Sequence, residues 1–566
     1  MTTCALGLDF GTESVRAVLV DTATGELRAT SVHRYEHGVI DQRLPGSTES
    51  LGAEWALQDP GDWLSGLEAT VRDVIVQAGV DPALVVGIGI DFTASTVLPT
   101  DAEGTPLCRL AGFSSHPHTW PKLWKHHAAQ PEAERINDVA RERGERWLGR
   151  YGGRISSEWL LPKAWQVADE APHLYDAAAH FIEGGDWIAW QLTGVRARNA
   201  CAAGFKGLWH KRDGNPSPEF LRTLDPRLAG LYEQKAQGPV VAPGSRLGGL
   251  SADWAHRLGL PAGTTVAAPI IDAHAAVLGA GIAGPGPLFL IMGTSTCHLM
   301  MAGREAQVPG VAGVVEDGIA PGYHGYEAGQ SAVGDIFAWF VANAVPAAYR
   351  EEAEAGGQSI HDVLSERAAR LSPGASGLLA LDWWNGNRCT LMDADLSGLL
   401  IGMTLATRPE HVYRALVEST AFGTRVIVDA FAGSGLPVSN LVAGGGLTRN
   451  PHIMQIYADV CGRDLTVAGS PQPSALGAAM LGAIAAGRAR GGHDTLADAI
   501  AAMAPAPARV YRAEGAHRPV YDELYECYGS LYDIFGRQVD TMKRLRRIRD
   551  GARLLSAHSR DTERPA

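Results

Sequence analysis

The chain opens on an extended pattern. Residues Ala5–Leu8 are apolar, Asp9-Phe10-Gly11-Thr12 reads as a tight turn, and Val15–Val20 runs extended to a second turn at Asp21–Gly25. This is the signature of a β-hairpin. Residues 62–79 then place Trp63, Leu67, Val71, Val74 and Ile75 at helical spacing, with Asp at the start and Gly at the end. The next stretch, VVGIGIDFTAST, is a buried strand that ends in Asp91 and small polar residues. Strands and helices keep alternating, which predicts an α/β architecture.

The opening recurs halfway along. Residues 6–14 read LGLDFGTES and residues 288–296 read LFLIMGTST. Leu6, Leu8, Gly11, Thr12 and Ser14 align with Leu288, Leu290, Gly293, Thr294 and Thr296, while Asp9 faces Ile291. Two strand–turn–strand units therefore head two similar lobes, and only the first carries a carboxylate at its turn. The expected boundaries are 1–278 for the first lobe, 288–545 for the second and 546–566 for a tail. The Gly- and Pro-rich stretch 279–287 reads as the connection. Gly279, Gly281 and Gly284 fit G-x-G-x-x-G, but Pro285-Gly286-Pro287 denies them the following helix a dinucleotide site requires. Near the end, Val520, Leu524, Tyr528, Leu531, Phe535, Val539, Met542 and Leu545 predict a helix that ends in the basic run KRLRRIR, with frayed residues beyond it.

Composition narrows the function classes. The 566 residues carry a formal net charge of −13, which disfavours nucleic acid as a partner. Seven scattered cysteines without CxxC spacing argue against a disulfide framework or a zinc site and fit reduced thiols. The N-terminus lacks the features of a signal peptide, and no apolar run approaches the ~20 residues of a membrane helix. A cytoplasmic protein with no membrane partner is expected.

No P-loop motif and no protein-kinase motif set occur, so any phosphate must be held in another way. Turns at Gly11-Thr12 and Gly293-Thr294-Ser295 expose backbone N–H groups and hydroxyls that can cradle phosphate oxygens, or they are simply hairpins. Asp9 is placed to orient Mg²⁺ directly or through water. Gly444-Gly445-Gly446 ends a strand, with a helix starting near Asn450, and lets backbone approach a flat base or ribose. Asp272 ends the apolar strand of VAAPIIDAHAAVLGA and could accept a proton from a hydroxyl, or act as an N-cap. The helix start is expected to lower its pKa. Lys206 could donate to substrate oxygens. Trp124, Trp209, Trp383 and Trp384 could line a pocket, although core packing is the commoner fate of such residues. The His116, His118, His126 and His127 groups lack partners at metal-ligand spacing.

In order and spacing, LGLDFGTES, IIDAH, IMGTST and AGGGLTRNPHIMQIYADV resemble the FGGY carbohydrate kinases over about residues 1–545. The resemblance implies the two-lobed, actin-like ATPase fold of the sugar-kinase/heat-shock-protein-70 superfamily, with an active-site cleft between the lobes. It implies ATP and Mg²⁺, a ketopentose as substrate, L-ribulose in particular, and a place in L-arabinose breakdown. It also implies a sugar site of Ala94, Lys206, Asp272 and Glu327, with Asp272 as the base. Gly293, Thr294 and Ser295 would meet the phosphates, and Gly445, Gly446 and Asn450 the adenosine. A homodimer is a family-level expectation.

Overall fold

The computed structural model describes residues 3–562. Two seven-stranded sheets organise it. In the first, β1 (Cys4–Phe10), β2 (Ser14–Asp21) and β3 (Leu27–Arg34) form an antiparallel meander, and β4 (Val85–Phe92) pairs parallel with β1. Strands β5 (Arg246–Gly249), β6 (Thr265–Ala267) and β7 (Ile270–Ile271) complete it, the last two parallel to β4. The second sheet repeats this plan. Strands β8 (Leu288–Met292), β9 (Thr296–Ala302) and β11 (His324–Gln330) form the meander, with β10 (Gly313–Glu316) at its edge. Strand β12 (Leu441–Gly444) runs parallel to β8, followed by β13 (Leu465–Val467) and β14 (Arg509–Tyr511). The two segments matched by sequence are thus the central hairpins of two equivalent sheets.

Alternation along β1 and β4 divides their side chains between two environments. Leu6, Leu8, Phe10, Ile88, Ile90 and Phe92 enter a core roofed by helix α1 (Pro60–Ala78), with Trp63, Leu67, Val71 and Val74. That helix starts at Asp59, whose carboxylate accepts from the Gly61 N–H, and stops at Gly79 in the left-handed region. The other face of the strands carries Gly7 and Gly87, Gly89, then Asp9 and Asp91.

Those glycines serve the contact between halves. Helices α2 (Asp272–Gly279) and α3 (Pro473–Ala486) cross at Gly279 and Gly477, and α3 then lies across the first sheet. A methyl group at Gly7, Gly87 or Gly89 would overlap backbone carbonyls of Ala475, Gly482 or Ala478. Ala- and Gly-rich α3 therefore belongs by sequence to the second half and by packing to the first sheet. A shared core joins them, from Ala5, Val18 and Ile270 to Phe289, Leu299, Ala479 and Met480. Residues 97–236 add a largely helical layer with its own core, including Ile136, Trp159, Leu161 and Phe220.

The C-terminal periodicity is realised as two helices, Arg518–Asp533 and Thr541–Thr562, with a wider turn at Ile534–Gln538 between them. Backbone stays helical past 545, where a tail was expected; residues 563–566 lie outside the described segment. Among the described residues all seven cysteines are free, and no helix is long and apolar enough to cross a membrane.

Candidate active site

Parallel strands converge at their carboxyl ends, and these ends build the site. Asp9 and Asp91 are in-register neighbours on β1 and β4. Asp272 follows β7, which pairs with the end of β4. Three carboxylates thus share one end of the sheet. Asp9 is bonded by Arg16 at 2.9 Å, yet burial outweighs that partner and raises its pKa. Asp91 is fully buried, and burial with the neighbouring Asp9 and Asp272 pushes its pKa far up. Neither Asp91 oxygen finds a donor among the described residues.

The surroundings of Asp272 overturn one expectation. It is the first residue of α2 and caps nothing, since its Oδ1 only accepts its own following N–H, from Ala273 at 2.7 Å. The helix start does favour the anion, but burial and the charge of Asp9 win and push the pKa up to about 7. The residue as a whole is half-buried.

Glu327, on β11 of the second half, faces Lys206 of the first. Lys206 Nζ donates to both carboxylate oxygens, at 2.8 and 2.9 Å, and both side chains are 5 % exposed. Arg388 Nη2 adds a bond of 2.7 Å to Oε1, and His274 Nε2 lies 3.6 Å from Oε2. Burial opposes the Glu327 charge, but Lys206 and Arg388 overcome it and hold the pKa at about 2. Burial holds His274 neutral, with a pKa of about 4. Lys206 also sits over the Trp159 ring, 5.6 Å from its centroid. Ala94 is half-buried on the turn after β4. Behind that turn, buried Lys163 donates to the carbonyls of Ser95, Lys122 and Leu123 at 2.6, 3.2 and 2.8 Å.

In both Gly-Thr turns the glycine N–H, expected to be exposed, is taken by a carbonyl at or just before the start of the returning strand, three residues on in the first and two in the second. Gly11 N–H donates to Ser14 O and Gly293 N–H to Ser295 O, each at 2.9 Å. Trp124 Nε1 donates to the Thr12 hydroxyl at 3.0 Å, and the N–H groups of Val333 and Gly334 hold the Thr294 and Gly293 carbonyls. Gly445, at φ +95°, lies against Met292, where any side chain would meet the strand end at 2.5 Å. The glycine turn is therefore adjacent to the second Gly-Thr turn. Gly444 in turn adjoins Pro473, the start of α3, whose first turn abuts Gly7 of β1. The second Gly-Thr turn, the glycine turn, the start of α3 and strand β1 are thus successive neighbours.

Asn450 is an N-cap: its carbonyl accepts from His452 and Ile453 at 3.1 and 3.2 Å, and its amide donates to Ser365 Oγ. Most of its bonding capacity is spent on structure. Of the tryptophans, Trp383 is core, and Trp159, which was not singled out, lies against Lys206. Arg388, His274, Asp91 and Lys163 are further members that local sequence did not single out. IDF and NGNR put a charge beside apolar or glycine residues, which was the available signal. Among the described residues the one cluster with metal-ligand spacing is Glu36, His37 and Asp62, away from the four histidines singled out by sequence.

Two seven-stranded sheets of one plan, each headed by a Gly-Thr hairpin and joined by α3, define the two-lobed, actin-like ATPase fold. The chain belongs to the FGGY family of carbohydrate kinases: the N-terminal domain of that family matches residues 4–279 and the C-terminal domain residues 288–486. It is an ATP-dependent sugar kinase. It is 52 % identical over 550 residues to the ribulokinase of Geobacillus thermodenitrificans, covering 97 % of each chain. It is 52 % identical over 556 residues to the ribulokinase of Shouchella clausii, covering 98 % of this chain and 99 % of that one. Among solved structures, xylulose kinase from Rhodospirillum rubrum superposes with a TM-score of 0.75 at 23 % identity, covering 94 % of this chain and 98 % of the other.

Proposed function

We propose that this kinase transfers the γ-phosphoryl group of ATP to the terminal hydroxyl of L-ribulose, giving L-ribulose 5-phosphate and ADP in the breakdown of L-arabinose. Similarity to full-length ribulokinases supports ribulose as the sugar. The observation that carries the chemistry is Asp272: a carboxylate at the carboxyl end of a parallel strand, beside Asp91 and Asp9, whose pKa, about 7, matches the operating pH of a general base. As the bond from the sugar oxygen to phosphorus forms, Asp272 accepts the hydroxyl proton, the γ-phosphorus–oxygen bond to ADP breaks, and ADP departs with its electron pair.

In this reading Ala94, Lys206, Asp272 and Glu327 surround the ketose. Glu327 is already engaged by two cations, so its part is to aim Lys206 as much as to accept from sugar hydroxyls. Gly11, Thr12, Gly293, Thr294 and Ser295 receive the phosphates, and Gly445, Gly446 and Asn450 border the adenosine. The fit of Mg²⁺ rests on the carboxylates. Asp9 and Asp91 stand side by side, Asp9 bonded by Arg16 and neither Asp91 oxygen met by a donor among the described residues, and a divalent cation would favour the ionised form of both carboxyls that burial now disfavours. Asp9 would hold the ion, which supplies charge neutralisation on the phosphate oxygens. The protein works in the cytoplasm as a homodimer.

The test is a panel of sugars in an assay of ADP release. D- and L-ribulose, xylulose and ribitol are compared by kcat/KM. L-Ribulose as the best substrate supports the proposal. A stronger response to another ketopentose or to ribitol overturns the sugar assignment, and sugar-independent ATP hydrolysis overturns the kinase reading.

A further inference from the structure

Glu327 has little acceptor capacity left: one oxygen takes Lys206 and Arg388, and the other takes Lys206 with His274 nearby. His274 is unbonded at both ring nitrogens among the described residues but buried, so the accessible group on that wall with unspent hydrogen-bonding capacity is Arg388. It comes from the loop between strands Leu379–Leu381 and Leu399–Ile401. Its guanidinium lies over Gly329, where a methyl group would approach Nη1 at 3.3 Å and Cδ at 3.4 Å. Gly329 pairs with Cys297, two residues beyond the second Gly-Thr turn, and Cys297 is partly exposed. The charges of Arg388, Glu327, Lys206 and Asp272 all reach the Cys297 thiol. Glu158 of the first half lies within electrostatic reach of the guanidinium.

Arg388 keeps 34 % of its side chain accessible, although Lys206 and Glu327 beside it are at 5 %. One of its N–H groups bonds Glu327, and no other bond of this guanidinium to a described residue is resolved. A guanidinium is a rigid planar fork of donors with no acceptor. Fixed on Glu327 and resting on a glycine, this fork is pre-organised.

We propose that Arg388 is a substrate-contacting, specificity-determining residue, whose free N–H groups donate to oxygens of the ketopentose between Lys206 and Asp272. This rests on the sugar-kinase reading above. A ketose carbonyl can only accept, whereas the hydroxyl at the same carbon of a pentitol lies out of plane and carries a proton. A fixed donor fork therefore favours the ketose over the pentitol.

The experiment compares wild type, Arg388→Lys and Arg388→Ala for KM of L-ribulose, KM of ATP, and the kcat/KM ratio of L-ribulose to ribitol. Arg388→Lys keeps the charge beside Glu327 and loses the fork. Both variants are expected to raise the ribulose KM at least tenfold, to leave the ATP KM within twofold, and to lower the ketose-to-pentitol ratio at least fivefold. Titration calorimetry of ribulose without nucleotide should show the same weakening. A ribulose KM within twofold of wild type in Arg388→Lys, or an equal loss for ketose and pentitol, overturns the proposal and leaves Arg388 as a counter-charge. If Arg388→Ala does not fold, the lysine variant still decides. Wild type in the same assay separates the two claims: no sugar-dependent ADP release there defeats the kinase reading, not the arginine.

Discussion

Replacing Asp272 with asparagine should cripple catalysis and stabilise the fold. The carboxylate is raised from 3.8 to about 7 by burial and by Asp9. The sign follows from proton binding. With a folded-state pKa above the unfolded one, the native state holds more protons between about pH 4 and 7. Stability is then fully present below the unfolded pKa and falls as pH rises through the folded value. Between pH 6 and 8 the native group loses most of its proton while the unfolded one is already ionised. Integrating that difference gives a loss of about 1.4 kcal/mol over the two pH units. The substituted amide carries no charge, so Asp272→Asn should gain about 1.4 kcal/mol on wild type between pH 6 and pH 8. Burial also raises Glu132 and Glu183 to about 7, but those groups are present in both proteins and cancel in the difference. Loss of the base should lower kcat by at least ~100-fold with ATP affinity little changed. Urea denaturation at the two pH values and steady-state ADP release measure both effects. A stability gap that does not widen with pH would refute the electrostatic argument, and near-normal turnover would refute the assignment of the base.

Glu327→Gln leaves Lys206 and Arg388 facing each other without their shared anion, and should cost about 3 kcal/mol, the low end for a broken buried pair because Arg388 is a third exposed. Equal denaturation midpoints for variant and wild type would contradict this. Gly89→Ala places a methyl group on the Ala478 carbonyl and should lower stability by about 3 kcal/mol while abolishing activity, since α3 cannot yield without moving α2 and Asp272. Gly529→Ala, at a half-exposed helix position with open space around it, is the control and should be neutral or stabilise by up to about 1 kcal/mol.

The central hairpins were legible because a strand, a Gly-Thr turn and a returning strand lie within a few residues, where local geometry decides conformation. The repeat at 6–14 and 288–296 therefore exposed the two-sheet plan. The role of α3 was not legible. Its sequence is apolar and small on every side, so periodicity gives no direction, and its partners Gly7, Gly87 and Gly89 lie nearly 400 residues or more away. Asp272 could be picked out at a strand end, but its charge state could not, because the burial that raises it is tertiary and the neighbours that add to it, Asp9 and Glu327, arrive from β1 and β11. Arg388 meets Glu327 across 61 residues, and only the folded second sheet puts the guanidinium over Gly329. Asn450 stands at the edge of a helix as its sequence suggested, and its cap bonds use most of the amide that was expected to serve adenosine.

The central claim is that the crevice aims a sugar's terminal hydroxyl, deprotonated by Asp272, at the last phosphorus of ATP. Phosphorus NMR of the reaction of ATP with L-ribulose tests it directly. The account predicts one new phosphomonoester on carbon 5, formed in step with ADP, and almost none with Asp272→Asn. Inorganic phosphate in place of the ester, or an ester on another carbon, would contradict it.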